Sequence, residues 1–154
     1  MYFLQEAGET LNLKFQPSHY GPYADNLRHV LSTVEGHFIT GYGDGSAPVL
    51  EAEPMKPLPG AEDEASRVLA DHAETGERVD YVMQVIDGFE SRYGMELLAS
   101  VHWATSHDPS AAADWRVAVE EVHRWTPRKK QTFTAEHIET AWNALRERDL
   151  ISRV

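Results

Sequence analysis

The residues that could do chemistry gather in two adjoining stretches. They are His19 to Leu31 (His-Tyr-Gly-Pro-Tyr-Ala-Asp-Asn-Leu-Arg-His-Val-Leu) and Gly36 to Gly45 (Gly-His-Phe-Ile-Thr-Gly-Tyr-Gly-Asp-Gly). Glu35 with His37 or Asp44 has the residue types of an acid–base pair. An acidic chain holds many such coincidences, and the spacing does not single this one out. His19, His29 and His37 lie close enough in sequence to converge on a metal. No His-Glu-x-x-His pair supports that reading, and His102 and His107, five apart, fall on different helix faces. The histidines therefore read as structural or surface groups, with His72 and His102 as hydrogen-bonded core residues on largely apolar faces. Gly41, Gly43 and Gly45 invite a phosphate-loop reading. It fails because no Gly-Lys-Ser/Thr follows and Asp44 would repel phosphate, so a tight turn with positive φ angles is expected. There is no cysteine, and no serine sits in a Gly-x-Ser-x-Gly elbow. No catalytic residue, metal or cofactor is expected.

The charge is more selective. Residues 1–50 carry five acids against two bases, residues 51–96 twelve against four, and residues 97–154 eight against eight, for a net charge of −11. Acidity on this scale argues against nucleic acid as a direct ligand, because phosphate backbones recruit lysine and arginine. A helix over 62–74 would place Asp63, Glu64, Arg67, Asp71 and Glu74 within an arc of roughly 100°, with Ala65, Val68, Leu69 and His72 opposite. Glu51 and Glu53 just before it enlarge the patch. Such a face is either simply solvated or imitates nucleic-acid phosphates for a basic partner. Tyr20, Tyr23, His37 and Tyr42 add aromatic surface nearby, with Phe38 expected in the core. Carboxylates in place of phosphates and rings in place of bases are what a protein posing as single-stranded DNA would need. The run Arg128-Lys129-Lys130 reads as a solvated loop.

The elements that must position these groups follow from periodicity. Tyr2 to Leu4 and Leu11 to Phe15 read as short extended pieces. Pro22 suits a first helical turn, and Leu27, Val30, Leu31 and Val34 mark an amphipathic helix ending near Gly36. Phe38 to Tyr42 and Val49 to Glu53 form a candidate hairpin, and Pro54 to Gly60 a loop. Helices are then expected around Ala65–His72, Val79–Ile86, Met95–Trp103 (buried and central) and Asp114–Trp125. A last helix is capped by Thr134, with Ile138, Ala141, Trp142 and Leu145 inward. The expected fold is α+β: one helix-rich domain over 1–154 with a small antiparallel sheet. The Tyr20–Tyr23 segment and the final helix running into Leu150 and Ile151 are similar to parts of winged-helix domains. With 42% apolar residues and no apolar run approaching the roughly 20 residues of a membrane span, a soluble, cytoplasmic protein is expected.

Three segments resemble the carboxy-terminal region of DarG-type antitoxins: His19 to Leu27, Glu35 to Asp44 and Tyr93 to Trp103. The resemblance runs over most of the chain and implies a partner, a DarT-like toxin that ADP-ribosylates thymidine in single-stranded DNA, bound as a heterodimer. Complete proteins of that family resemble a fusion of this region with a macrodomain that removes ADP-ribose from DNA. No macrodomain precedes Met1, so the chain is expected to be an inhibitor and not an enzyme. The implied mechanism is occlusion of the toxin's DNA groove, with Tyr20, Tyr23, His37, Tyr42, Asp44, Glu51, Glu53, Asp63, Glu64, Asp71 and Glu74 as candidate contacts. A winged-helix DNA-binding regulator and an ADP-ribosyl hydrolase fragment are the alternatives.

Overall fold

The computed structural model describes residues 1–46 and 53–151. The fold is helix-rich α+β, with two small antiparallel sheets among the described residues. Tyr2 to Leu4, expected to be extended, instead lie in a short helix, α1 (Tyr2–Glu6). Burial of Phe3 decides this, since three residues of alternation are too few to outweigh one core contact. Gln5 then clamps Leu13 through both ends of its amide, donating to the Leu13 carbonyl at 3.0 Å and accepting its N–H at 2.8 Å.

Strands β1 (Phe15–Ser18) and β2 (Gly21–Ala24) pair in register Ser18↔Gly21, so His19 and Tyr20 form a two-residue turn. Gly21 has φ +115°, open to glycine with little strain. Pro22 is therefore in a strand, not in a first helical turn. It stands opposite Pro17, and two prolines are tolerated because a two-stranded hairpin is all edge. Helix α2 (Leu27–Val34) forms where its spacing predicts. The next strand, β3 (Ile39–Thr40), is shorter than expected and pairs with β4 (Lys56–Pro57) inside the presumed loop. Of the predicted partner Val49 to Glu53, residues 49–52 lie outside the described residues.

Helices α3 (Ala61–Ala70) and α4 (Ala73–Ile86) replace the single helix expected over 62–74, because Asp71 ends one and His72 opens the other. Then come α5 (Arg92–His107), α6 (Pro109–Ala113), α7 (Trp115–Trp125), α8 (Pro127–Thr132) and α9 (Ala135–Glu147). All five begin at a side-chain cap: Ser91, Asp108, Asp114, Thr126 and Thr134 each accept a backbone N–H of the first turn. Helix α5 is the central element, as its apolar run predicts. Leu97, Leu98 and Val101 pack with Val122, Phe133, Ile138, Ala141 and Leu145, each worth on the order of 1.5–3 kcal/mol for the larger side chains. Trp142 is buried there too, its indole N–H donating to the Ala111 carbonyl at 2.9 Å. Of the winged-helix likenesses, Tyr20–Tyr23 spans the turn and β2, and α9 leads into a turn at Asp149 and the buried Ile151.

Candidate partner-binding groove

The β1–β2 hairpin lies against α5, and beside it opens a groove of about 600 Å³. Its apolar lining comes from Ala24 and from Leu27 and Leu31 of α2. That explains how α2 can be strongly amphipathic and yet bury no residue. Tyr20, Tyr23 and Tyr42 supply rings, and Glu53 and Met55 close the far side. Tyr23 and Met55 are about half exposed, at 47% and 52%.

The glycine loop holds Tyr42 in place. Glu35 accepts the backbone N–H of Gly41 at 3.2 Å and of Tyr42 at 3.1 Å, so its carboxylate staples the loop and is not paired with His37 or Asp44 as an acid–base couple. Gly41 has φ +103°, and an added Cβ would stand 2.5 Å from the Pro54 carbonyl oxygen. Gly45 leaves room for the Tyr42 hydroxyl, with which an added Cβ would collide. The tight-turn reading of these glycines holds. Arg28 donates to the Gly45 carbonyl at 3.2 Å, and its hydrogen bond with Tyr42 raises the guanidinium pKa above its ordinary value. Asp44 accepts from both the hydroxyl and the backbone N–H of Ser46, bonds that lower its pKa.

Of the predicted contacts, Tyr20, Tyr23, Tyr42 and Glu53 line the groove together. Asp44 does not line it, although its chain neighbour Gly45 does. Exposed His37 does not line it, and Glu51 lies outside the described residues. Asp63 and Glu64 are exposed on the first turn of α3 with Glu62, a helix that buries nothing. The continuous stripe does not form. Asp71 is the end cap of α3, and Glu74, on α4, is paired with Arg78, which also holds Glu9 at 2.9 Å. Phe38 and His72, expected in the core, are exposed, because no element among the described residues covers β3 or the α3–α4 junction.

The largest departure is the basic run. Arg128 and Lys129 belong to α8, and Lys129 is completely buried. Its Nζ donates to Glu96 at 2.8 Å and to Ser100 at 3.0 Å, while Arg128 grips the same carboxylate at 2.6 and 3.1 Å. Burial pushes the Glu96 carboxyl upward. The hydrogen bonds and charges of Arg128 and Lys129 outweigh it and hold the pKa below the ordinary carboxylate value. The Arg128 guanidinium also lies 4.7 Å from the Tyr20 ring, and a Cβ added at Gly21 would stand 3.8 Å from the Ser100 hydroxyl oxygen and 3.9 Å from the Glu96 side chain. This cluster fastens the hairpin to α5. Its sequence signal was an acid inside an apolar helix.

His102 is buried as expected. Its Nδ1 is 2.8 Å from the Tyr2 hydroxyl, and burial pulls its pKa down to about 4. Among the described residues no group of three or more metal-ligating side chains converges, and no helix is long and apolar enough to cross a membrane.

No family model matches the chain. Curated proteins do. The chain is similar to proteins named DNA ADP-ribosyl glycohydrolase. It is 42% identical over 147 residues to one from Thermus aquaticus, covering 96% of this chain and 39% of that protein. It is 40% identical over 144 residues to those from Mycobacterium bovis and Mycobacterium tuberculosis, covering 92% of this chain and 40% of theirs. The chain thus spans about two-fifths of the length of the curated relatives it matches. The expectation that it is not an enzyme is corrected by this finding, because those relatives carry an enzyme's name.

Proposed function

We propose that this chain serves the enzymatic removal of ADP-ribose from DNA, as part of a DNA ADP-ribosyl glycohydrolase, and that its groove and acidic surface bind the toxin that attaches the group. The observation carrying the first half is the 40–42% identity running through 92–96% of the chain. Hydrolysis is proposed for the whole protein, since the chain spans only two-fifths of its relatives. The toxin-binding half draws on the DarG resemblance, on the acidic skew of residues 51–96, and on three tyrosines gathered around one open groove. Tyrosine suits such a surface because it covers a large area with a rigid ring and keeps a polar tip.

A second reading places hydrolytic work in the groove itself, and the names of the relatives favour it. Tyrosine rings would stack on a base, Arg28 would face a diphosphate, and Glu53 brings a carboxylate to the same space. One experiment separates the readings. The chain is mixed with a DarT-like toxin, NAD and a thymidine-containing single-stranded oligonucleotide, and separately with the ADP-ribosylated oligonucleotide alone. Stoichiometric suppression of modification in the first mixture supports toxin binding. Multiple-turnover release of ADP-ribose in the second supports hydrolysis by these residues. Neither effect at excess chain would overturn both roles proposed for the groove.

A further inference from the structure

A second groove, of about 330 Å³, is bounded by Pro17 of the hairpin, the end of α5 and the end of α7. Its walls are the indoles of Trp103 and Trp125, with centroids 6.3 Å apart and planes at 46°, an open V. His107, Asp108, Glu121 and Arg124 form the rest of the lining.

The chain's other tryptophans show what these rings accept. Arg116 lies 4.6 Å from the Trp115 centroid and Arg146 lies 5.1 Å from that of Trp142. Trp125 itself is faced by the buried Lys129 Nζ at 4.9 Å. Trp103 differs, because its stacking partner is the His107 imidazole, parallel to within 19° at 4.1 Å, while Tyr2 and Trp125 each stand with ring centroids 6.3 Å from it. It sits in the open groove beside two carboxylates. Asp108 uses one oxygen to cap α6, accepting Ser110 N–H at 2.8 Å, and Glu121 holds Arg124.

We propose that this groove receives an arginine side chain of a protein partner, its guanidinium entering the V between Trp103 and Trp125 and donating to the Asp108 carboxylate oxygen that does not cap α6. Planar, weakly hydrated guanidinium suits both a ring face and a carboxylate, whereas a compact ammonium gains less from each. A nucleotide is disfavoured, because its phosphate would approach the rim carboxylates of a chain with net charge −11. The identity of the partner rests on the toxin-binding reading above, as a second contact of the same interface. The chemistry of the slot does not.

The test therefore uses a peptide and not the toxin. The full chain is titrated with acetyl-Gly-Arg-Gly-amide and with its citrulline twin, a near-isostere without charge, and the tryptophan indole N–H resonances are followed. We expect saturable shifts centred on Trp103 and Trp125 with the arginine peptide, and binding weaker by about tenfold or more with the citrulline twin. Asp108→Asn should weaken the arginine peptide by a similar factor while asparagine still caps α6. Glu121→Gln, which frees Arg124 to compete, should weaken it further. Equal binding of the two peptides, a stronger response to thymidine monophosphate, or no shift at Trp103 would each overturn the proposal. Loss of toxin binding with these peptide results intact would indict the partner and leave the slot standing.

Discussion

Helices α2 and α7 are both strongly amphipathic, yet only one of them has a buried face. In α7, Ala118 and Val122 disappear into a core shared with α5 and α9. In α2, Leu27 and Leu31 end in an open groove and no residue is buried. The contrast extends to the surroundings. Between Val85 and Ile151 five helices are capped by side chains, with α5 at the centre of the shared core, whereas α3 buries nothing and leaves Val68 55% exposed. A periodic apolar face means that something covers it; it does not say that the same chain does. The packed half supplies the stability, and the open half carries the surface on which the function is proposed.

That division can be broken by experiment. The largest effect should come from the packed half. Leu98→Ala is expected to cost about 4 kcal/mol in denaturant unfolding, while Leu31→Ala in α2 should cost under about 1 kcal/mol. Similar losses at the two sites would erase the distinction. Glu96→Gln comes next, at about 3 kcal/mol, because it leaves the buried Lys129, whose pKa burial already lowers, without the carboxylate that holds its charge. The same variant should loosen the hairpin, visible as faster amide exchange at Gly21 to Ala24.

Acid should act through two groups in separate windows. His102, whose folded pKa is lowered to about 4, takes up a proton in the unfolded chain first. Stability is therefore lost as pH falls from about 6.5 to 4, by roughly 2–3 kcal/mol. Glu96, also lowered, contributes above its unfolded pKa and is lost only as pH drops further through the folded one. An NMR titration showing His102 protonating near its ordinary value would remove the first window. The smallest effect on stability is expected at Tyr23→Ala, within about 0.5 kcal/mol, since the ring is 47% exposed.

Much of the packed half was legible in the sequence, and the reason is local. Thr134 followed by Ile138, Ala141, Trp142 and Leu145 states a cap and an inner face that the structure reproduces. The open half was less so, because its elements are decided by single long-range contacts. Phe3 turns an alternating segment into a helix, and Pro22 obeys strand pairing with Pro17 over its helical preference. In the candidate site, Tyr20, Tyr23, Tyr42 and Glu53 were picked from residue type and do converge. Arg28 and Met55 were missed, since neither type nor spacing marks a groove wall. Lys129 was misread for the same reason: only the fold brings Glu96, thirty-three positions earlier, within 2.8 Å. The acidic helix was overextended because no glycine or proline announces the break at Asp71 and His72.

The most direct test of the proposed role is a calorimetric titration of a DarT-like toxin with the wild-type chain and with Tyr23→Ala/Tyr42→Ala, both first shown to be folded. We expect one-to-one binding by the wild type, weakened about a hundredfold or more in the double variant, as for paired aromatic anchors at a protein interface. Unchanged affinity in the double variant, or no binding by the wild-type chain, would contradict it.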